Sequence, residues 1–304
     1  MTASLTPKPA DWLSILALGF LWGSSFMAAK IALADFGPLT LAAARIVLGA
    51  VLLLAVVALT GRSLPRGARA WGFVLAFAVF SNALPFFLLN WAQLTVPSSF
   101  AGIMQATVPF FVLPLAIAFV PGETFGWGKL AGLLVGFLGV VILIGPGELV
   151  AGPAAVLPRL ACVGAALCYA LGGLVTRLAP KMDQIAYSAA ALAVAGVLST
   201  PAALWVEGVP EIPGAASLTA LAFLAAGPTA LAALLLVRTI RSAGPTFVTL
   251  VNYMVPVWSV LLGVLLLAEA LPGSFFWAMA LILVGLTLSQ FSALQQLVHG
   301  GRKA

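Results

Sequence analysis

The sequence predicts an all-α polytopic membrane protein, with ten transmembrane helices arranged as two inverted five-helix repeats around a central cavity. Three observations predict it. First, of its 304 residues 63% are hydrophobic and only 7% charged, where soluble domains average about 25% charged. Second, apolar runs of about 20 residues recur between short polar breaks, the length that crosses a ~30 Å hydrocarbon core as a helix. Third, distinctive residues repeat at one constant offset of 147: Pro109 with Pro256, Gln105 with Asn252, Phe100 with Phe247, Lys30 with Arg177, Gly49 with Gly196, and Gly126 with Gly273. One offset held over most of the chain marks a duplication.

Hydropathy places the spans near 12–33, 38–60, 70–90, 97–119, 126–145, 156–178, 184–204, 216–237, 245–267 and 273–294. The first is too long and too poorly flanked for a cleaved signal peptide and is kept as structure. The breaks between spans fall on Gly, Pro and charge: Phe36-Gly37-Pro38, Gly61 to Arg69, Pro121-Gly122-Glu123, Gly145 to Pro153, Ala179-Pro180-Lys181, Glu207 to Gly214, Ser242 to Pro245 and Leu271-Pro272-Gly273. The first repeat covers 1–147 and the second 148–304. Five spans is an odd number, so two such repeats enter the membrane in opposite senses, as in many secondary transporters, where the site lies near the midplane between them.

Orientation follows from the cations. With both termini in the cytoplasm, Lys8, Arg62, Arg66, Arg69, Lys129, Arg177, Lys181, Arg238, Arg241, Arg302 and Lys303 fall inside, while Lys30 and Arg159 fall outside. Arg45 lies within span 2. The basic residues sit at span ends and form no patch, so the net charge of +6 implies no nucleic-acid partner. Cys162 and Cys168, six apart on one span, read as small core residues. The single histidine, His299, lies in the polar tail, and no metal or cofactor is expected. The chain has no phosphate-binding GxxxxGK[ST] loop, no HExxH and no GxSxG, which argues against an ATP-driven pump and an enzyme. All eight acids, Asp11, Asp35, Glu123, Glu148, Asp183, Glu207, Glu211 and Glu269, fall at span ends or in loops, so no buried proton relay is visible.

Polar groups within spans are unfavourable in lipid and point inward. Span 1 offers Trp22, Ser25, Phe26 and Lys30. Span 3 sets Asn82, Phe86, Asn90 and Gln93 on one face, with Trp91 beside them. Span 4 aligns Ser98, Gly102, Gln105 and Pro109; span 6 offers Cys162, Tyr169, Gly173 and Thr176; span 9 aligns Thr249, Asn252, Tyr253 and Pro256. The expected substrate-binding residues are Trp22, Asn82, Asn90, Trp91, Gln105, Tyr169, Asn252 and Tyr253. Ser, Thr and Asn also serve as interhelical hydrogen-bonding groups without any substrate role. Pro109 and Pro256 kink their helices and are the expected hinges, and Pro85 and Pro228 suggest kinks in spans 3 and 8. Arg45 has three readings: it snorkels to the surface, ties two helices, or attracts an anionic substrate. Lys30 reads as interfacial. Gly128, Gly132 and Gly136 form a small-residue ridge on span 5 that suits helix packing.

Trp22-Gly23-Ser24-Ser25-Phe26 followed by Lys30, Pro38 and Arg45 resembles the opening of the EamA family, the ten-span bacterial branch of the drug/metabolite transporter superfamily. Pro109 followed by Glu123, and Pro256 followed by Glu269, resemble the family's ends of spans 4 and 9. The second half departs from the opening, with Tyr169-Ala170-Leu171-Gly172-Gly173 and with Leu192 where Arg45 would recur. The resemblance implies a cytoplasmic-membrane protein with a cavity lined mainly by spans 1, 3, 4, 6, 8 and 9. It also implies export of small metabolites by alternating access, amino acids including aromatic ones being the expected substrates. A multidrug exporter of lipophilic cations is the alternative through cation–π contact, and a channel is a further one.

Overall fold

A computed structural model describes residues 7–119, 126–145 and 152–291. Glu123, Glu148, His299, Arg302 and Lys303 lie outside them. Among the described residues every regular element is helical. Ten helices follow one another: α1 Pro9–Ala32, α2 Pro38–Leu59, α3 Ala68–Ala92, α4 Ser98–Phe119, α5 Trp127–Ile144, α6 Pro153–Leu178, α7 Gln184–Val206, α8 Ala215–Ala243, α9 Pro245–Leu267 and α10 Gly273–Ser289. The first nine are long and apolar enough to cross a membrane, and α10, with 17 residues, is slightly shorter. Large apolar side chains such as Leu13, Val51, Leu134, Val197, Leu265 and Trp277 cover the outside. That surface is a liability in water and suits lipid.

Packing follows the duplication. α5 packs on α10, α2 on α7 and α4 on α9; α1 packs on α9 as α6 does on α4; and α1 packs on α8 as α6 does on α3. Exchanging the first five helices with the last five leaves this pattern unchanged. The α5–α10 contact needs glycine on both sides. A Cβ on Gly132 would lie 2.5 Å from the Gly285 carbonyl, and one on Gly285 would lie 2.5 Å from the Gly136 nitrogen. Gly132 and Gly136 thus form the packing ridge, while at Gly128 a Cβ would fit, 3.9 Å from the Leu288 carbonyl.

Several helices change register where the sequence places proline or small polar residues. α3 contains a π-turn at Val79–Ala83, just before Pro85, and α8 one at Ala225–Leu231, around Pro228. Proline has no N–H and its ring collides with the carbonyl four residues earlier. In α8 that carbonyl belongs to Leu224, and the Thr229 hydroxyl donates to it at 2.8 Å. α4 is interrupted at Ala106–Thr107, before Pro109, and α9 at Thr249–Leu250, well before Pro256. The two prolines are therefore not equivalent, since α9 runs on as helix through Pro256.

Acids close both ends of the bundle. At the end away from the N-terminus, Glu207 accepts from the Leu39 and Thr40 N–H groups at 2.9 and 2.8 Å, capping α2. Glu269 accepts from the Ser98 and Ser99 N–H groups at 2.6 and 3.1 Å, capping α4, and Asp35 accepts from the Gly214 N–H at 2.8 Å, capping α8. Each carboxylate meets the positive end of a helix from the other half of the chain. Lys30 donates to the carbonyls of Gln93 and Val96 at the end of α3. At the opposite end Asp183 caps its own helix, α7, and pairs with Arg62 at 2.6 Å, while Asp11 accepts from Ser242 at 3.0 Å.

Candidate functional site

A cavity of about 350 Å³ lies between the halves, within the ~300–1,000 Å³ typical of small-molecule sites. α3 contributes more of its wall than any other helix: Phe77, Ser81, Asn82, Phe86, Leu89, Asn90 and Gln93. These residues recur at helical spacing, and the π-turn carries Ser81 and Asn82. π-turns within helices frequently mark functional sites. From α1 come Trp22, Ser25, Phe26 and Ala29, from α4 Gln105, Ala106 and Val108, from α6 Tyr169, and from α9 Asn252 and Val255. From α8 come Pro228, Thr229, Ala233 and Leu236, again around a π-turn.

Six of the eight expected binding residues therefore meet in one cavity: Trp22, Asn82, Asn90, Gln105, Tyr169 and Asn252. Trp91 and Tyr253 do not line it and pack against the apolar core. The reason is helical geometry, because a neighbour in sequence is turned by about 100°. With Asn90 and Asn252 facing the cavity, Trp91 and Tyr253 face elsewhere. Gln105 ends the first segment of α4 and Asn252 is the second residue of the second segment of α9, so both stand close to an interruption.

Two helices outside the six that the resemblance implied also reach the cavity: α2 through Arg45, in keeping with one of the readings of that residue, and α7 through Ser188 and Leu192. Each offers one or two lining residues within an otherwise apolar span. For Leu192, which stands 147 residues after Arg45, the offset was the signal; Ser188 has no lining counterpart at that offset. Eight pairs of lining residues obey it: Trp22 and Tyr169, Arg45 and Leu192, Ser81 and Pro228, Asn82 and Thr229, Phe86 and Ala233, Leu89 and Leu236, Gln105 and Asn252, Val108 and Val255.

The polar groups are held unequally. Trp22 Nε1 donates to the Pro228 carbonyl at 3.2 Å and Asn90 Nδ2 to the Pro38 carbonyl at 3.1 Å. Arg45 does not snorkel. It is only 8% exposed, its Nε donates to Thr229 Oγ1 at 2.9 Å, and its guanidinium lies 4.0 Å from the centre of the Phe86 ring. It thus ties α2 to α8, through a side-chain hydroxyl. A charge near the middle of a membrane helix costs at least ~2.5 kcal/mol. Among the described residues no Asp or Glu lines the cavity to offset it. Both polar atoms of the Gln105 amide, and Gln93 Oε1, are buried without a hydrogen-bond partner among the described residues. Cys162 and Cys168 are buried free thiols. No group of three His, Cys, Asp or Glu side chains capable of holding a metal occurs among the described residues.

Ten apolar helices around a central cavity define a multi-pass membrane transporter fold. Residues 11–145 and 158–291 each match the EamA-like transporter family, and the chain belongs to that family. It is 27% identical over 283 residues to the uncharacterized inner membrane transporter YedA of Escherichia coli K12, covering 90% of this chain and 89% of that protein. It is 28% identical to the S-adenosylmethionine/S-adenosylhomocysteine transporter of Chlamydia trachomatis, over 88% of this chain and 85% of that one. A probable terminal-alkyne amino-acid exporter of Streptantibioticus cattleyicolor is 29% identical over 134 residues, 44% of each chain. One crystal structure superposes with a TM-score of 0.69 at 22% identity, over 95% of this chain and 99% of that one, a likeness of fold alone.

Proposed function

We propose that this protein is a secondary transporter of the bacterial inner membrane that exports small metabolites, amino acids and related compounds, with both termini in the cytoplasm. The observation that carries the reading is the cavity, built from paired positions of the two halves and lined by amide, hydroxyl and aromatic groups. Such a lining suits a zwitterion bearing an apolar side chain. The two halves, 1–147 and 148–304, act as inverted repeats that rock about this site. Trp22, Asn82, Asn90, Gln105, Tyr169 and Asn252 contact the substrate, and the interruptions before Pro109 and Pro256 supply the flexing points. Two relatives whose names specify an amino-acid exporter and an S-adenosylmethionine transporter support this substrate class. Lipophilic cations suit the site less, because its one lining charge is positive.

The test is uptake into proteoliposomes of the purified protein with a panel of labelled amino acids, run with and without a proton gradient. Saturable uptake of at least one compound, with counterflow, is expected. Background flux for every compound would sink the substrate class, and non-saturable flux would point to a channel.

A further inference from the structure

We propose that Arg45 receives a carboxylate of the transported molecule. This inference rests on reading the cavity as the transport site. Arg45 is the only cavity residue that α2 supplies. A guanidinium presents five N–H donors in a planar fork that matches both oxygens of a carboxylate. Here Nε is taken by Thr229 Oγ1, and the face lies on the Phe86 ring. The bond to Thr229 is the one hydrogen bond this guanidinium makes among the described residues, so the edge formed by Nη1 and Nη2 is left for a ligand. Thr229 and Phe86 orient the group but do not neutralise it, and among the described residues no carboxylate lines the cavity.

A helix tie alone does not explain the charge. At the same position of the other half stands Leu192, which lines the same cavity and carries none. The fold closes around that position with an apolar side chain. A buried cation without a counter-ion is unfavourable unless something supplies the anion, and a substrate that enters this cavity is placed to do so.

A second feature narrows the ligand. The Gln105 amide and Gln93 Oε1, of two residues that line the cavity, are buried without partners among the described residues. Their oxygens are acceptors that a substrate ammonium or hydroxyl would satisfy. The site therefore offers a cation for a carboxylate and free amide acceptors for a donor. The ligand that fits is a small carboxylic acid bearing a hydrogen-bond donor, at zero or negative net charge, the α-amino acid being its simplest form. Trp22, Phe26, Leu236 and Val255 supply apolar surface for its side chain.

The experiment takes the amino acid best transported in the proteoliposome panel and lets three compounds compete with its uptake: the unlabelled acid, its carboxamide and its decarboxylated amine. In the wild type the acid competes at least tenfold better than either, about 1.4 kcal/mol. Arg45→Gln removes that preference, and Arg45→Lys, which keeps the charge without the fork, retains part of it. The preference is a ratio within one protein, so a merely structural role for Arg45 leaves it unchanged, and the wild-type measurement stands even where a variant fails to fold. If carboxamide and amine compete as well as the acid in the wild type, the carboxylate proposal is overturned while the transport reading stands. If Arg45→Gln keeps the preference, the assignment to Arg45 is overturned. If no amino acid is transported at all, both readings fall.

Discussion

Along its first half the chain presents Trp22, Arg45, Ser81, Asn82, Phe86 and Gln105 to the cavity; 147 residues on, the second half presents Tyr169, Leu192, Pro228, Thr229, Ala233 and Asn252. The backbone positions correspond and the chemistry does not. The larger and more polar members stand mostly in the first half, and the charge stands only there. Duplicated helices thus make a cavity with two related walls, and substitution makes one wall polar and the other smaller. The difference matters because a symmetric cavity would hold a small molecule in two equivalent orientations, whereas a single cation selects one.

The comparison can be broken most strongly at Arg45. Arg45→Leu makes the two halves alike, and it is expected to weaken carboxylate binding 10- to 100-fold, matching the ~1.5–3 kcal/mol of a hydrogen bond to a charged group. The melting temperature should hold or rise, because replacing a buried ion by an apolar side chain is often neutral or stabilising. A parallel loss of binding and stability would instead mark the tie between α2 and α8 as the whole role of Arg45.

At Gln105 the effect is smaller and splits in the same way. A buried amide without a partner is unfavourable by roughly 1–3 kcal/mol. Gln105→Met is therefore expected to stabilise the protein by about 1 kcal/mol and to weaken substrate binding severalfold. Thermal melts and competition uptake on the same preparations read both. Unchanged binding would remove Gln105 from the site.

Gly49 and Gly196 sharpen the comparison from behind the walls. A Cβ on Gly49 would lie 2.6 Å from Thr229 Cγ2 and displace the acceptor of Arg45, whereas one on Gly196 meets Val47 at 3.1 Å. Gly49→Ala should lower affinity measurably and Gly196→Ala much less. Equal effects would show that the halves respond as mirror images despite their different lining.

Acidity should have the smallest effect. The Ser217 hydroxyl and the Gly214 N–H hold the Asp35 carboxyl below its ordinary 3.8. Burial alone would raise Asp183, but the Ala186 and Ile185 N–H groups and Arg62 outweigh it and hold that carboxyl below 3.8 as well. With folded-state values depressed, both groups contribute stability above 3.8 and lose it only as pH falls through the lower folded values. Melting curves should therefore show no pH dependence from these two carboxylates between about pH 5 and 8. A melting transition that changes there and flattens in Asp183→Asn would contradict this.

Much of the fold was legible because membrane thickness constrains span length. The expected spans match the helices to within a few residues at most ends, and the largest miss, at the end of α8, reflects a helix that runs on to Ala243 past Arg238 and Arg241. The α3 stripe of Asn82, Phe86, Asn90 and Gln93 was legible because polar residues at helical spacing share a face, and all four line the cavity. Trp91 and Tyr253 were misplaced by chemistry taken without the 100° rotation between neighbours. The interruption in α9 was also misplaced, since it falls at Thr249–Leu250 and not at Pro256. The π-turns were legible only as kinks, because proline announces a lost hydrogen bond and says nothing of how the helix closes around it. Ser188 and Leu192 carried no signal within an apolar span, except that Leu192 sits 147 residues after Arg45.

The central claim is that the cavity between the halves is the route of transport. Ala233 lines it at the position where the other half carries Phe86, so Ala233→Phe restores the pair while filling the space. Labelled amino-acid uptake into proteoliposomes by this variant, beside the wild type, tests the claim most directly. The account predicts saturable uptake by the wild type and its loss in Ala233→Phe, with the melting temperature unchanged. Uptake by Ala233→Phe at the wild-type rate would contradict it.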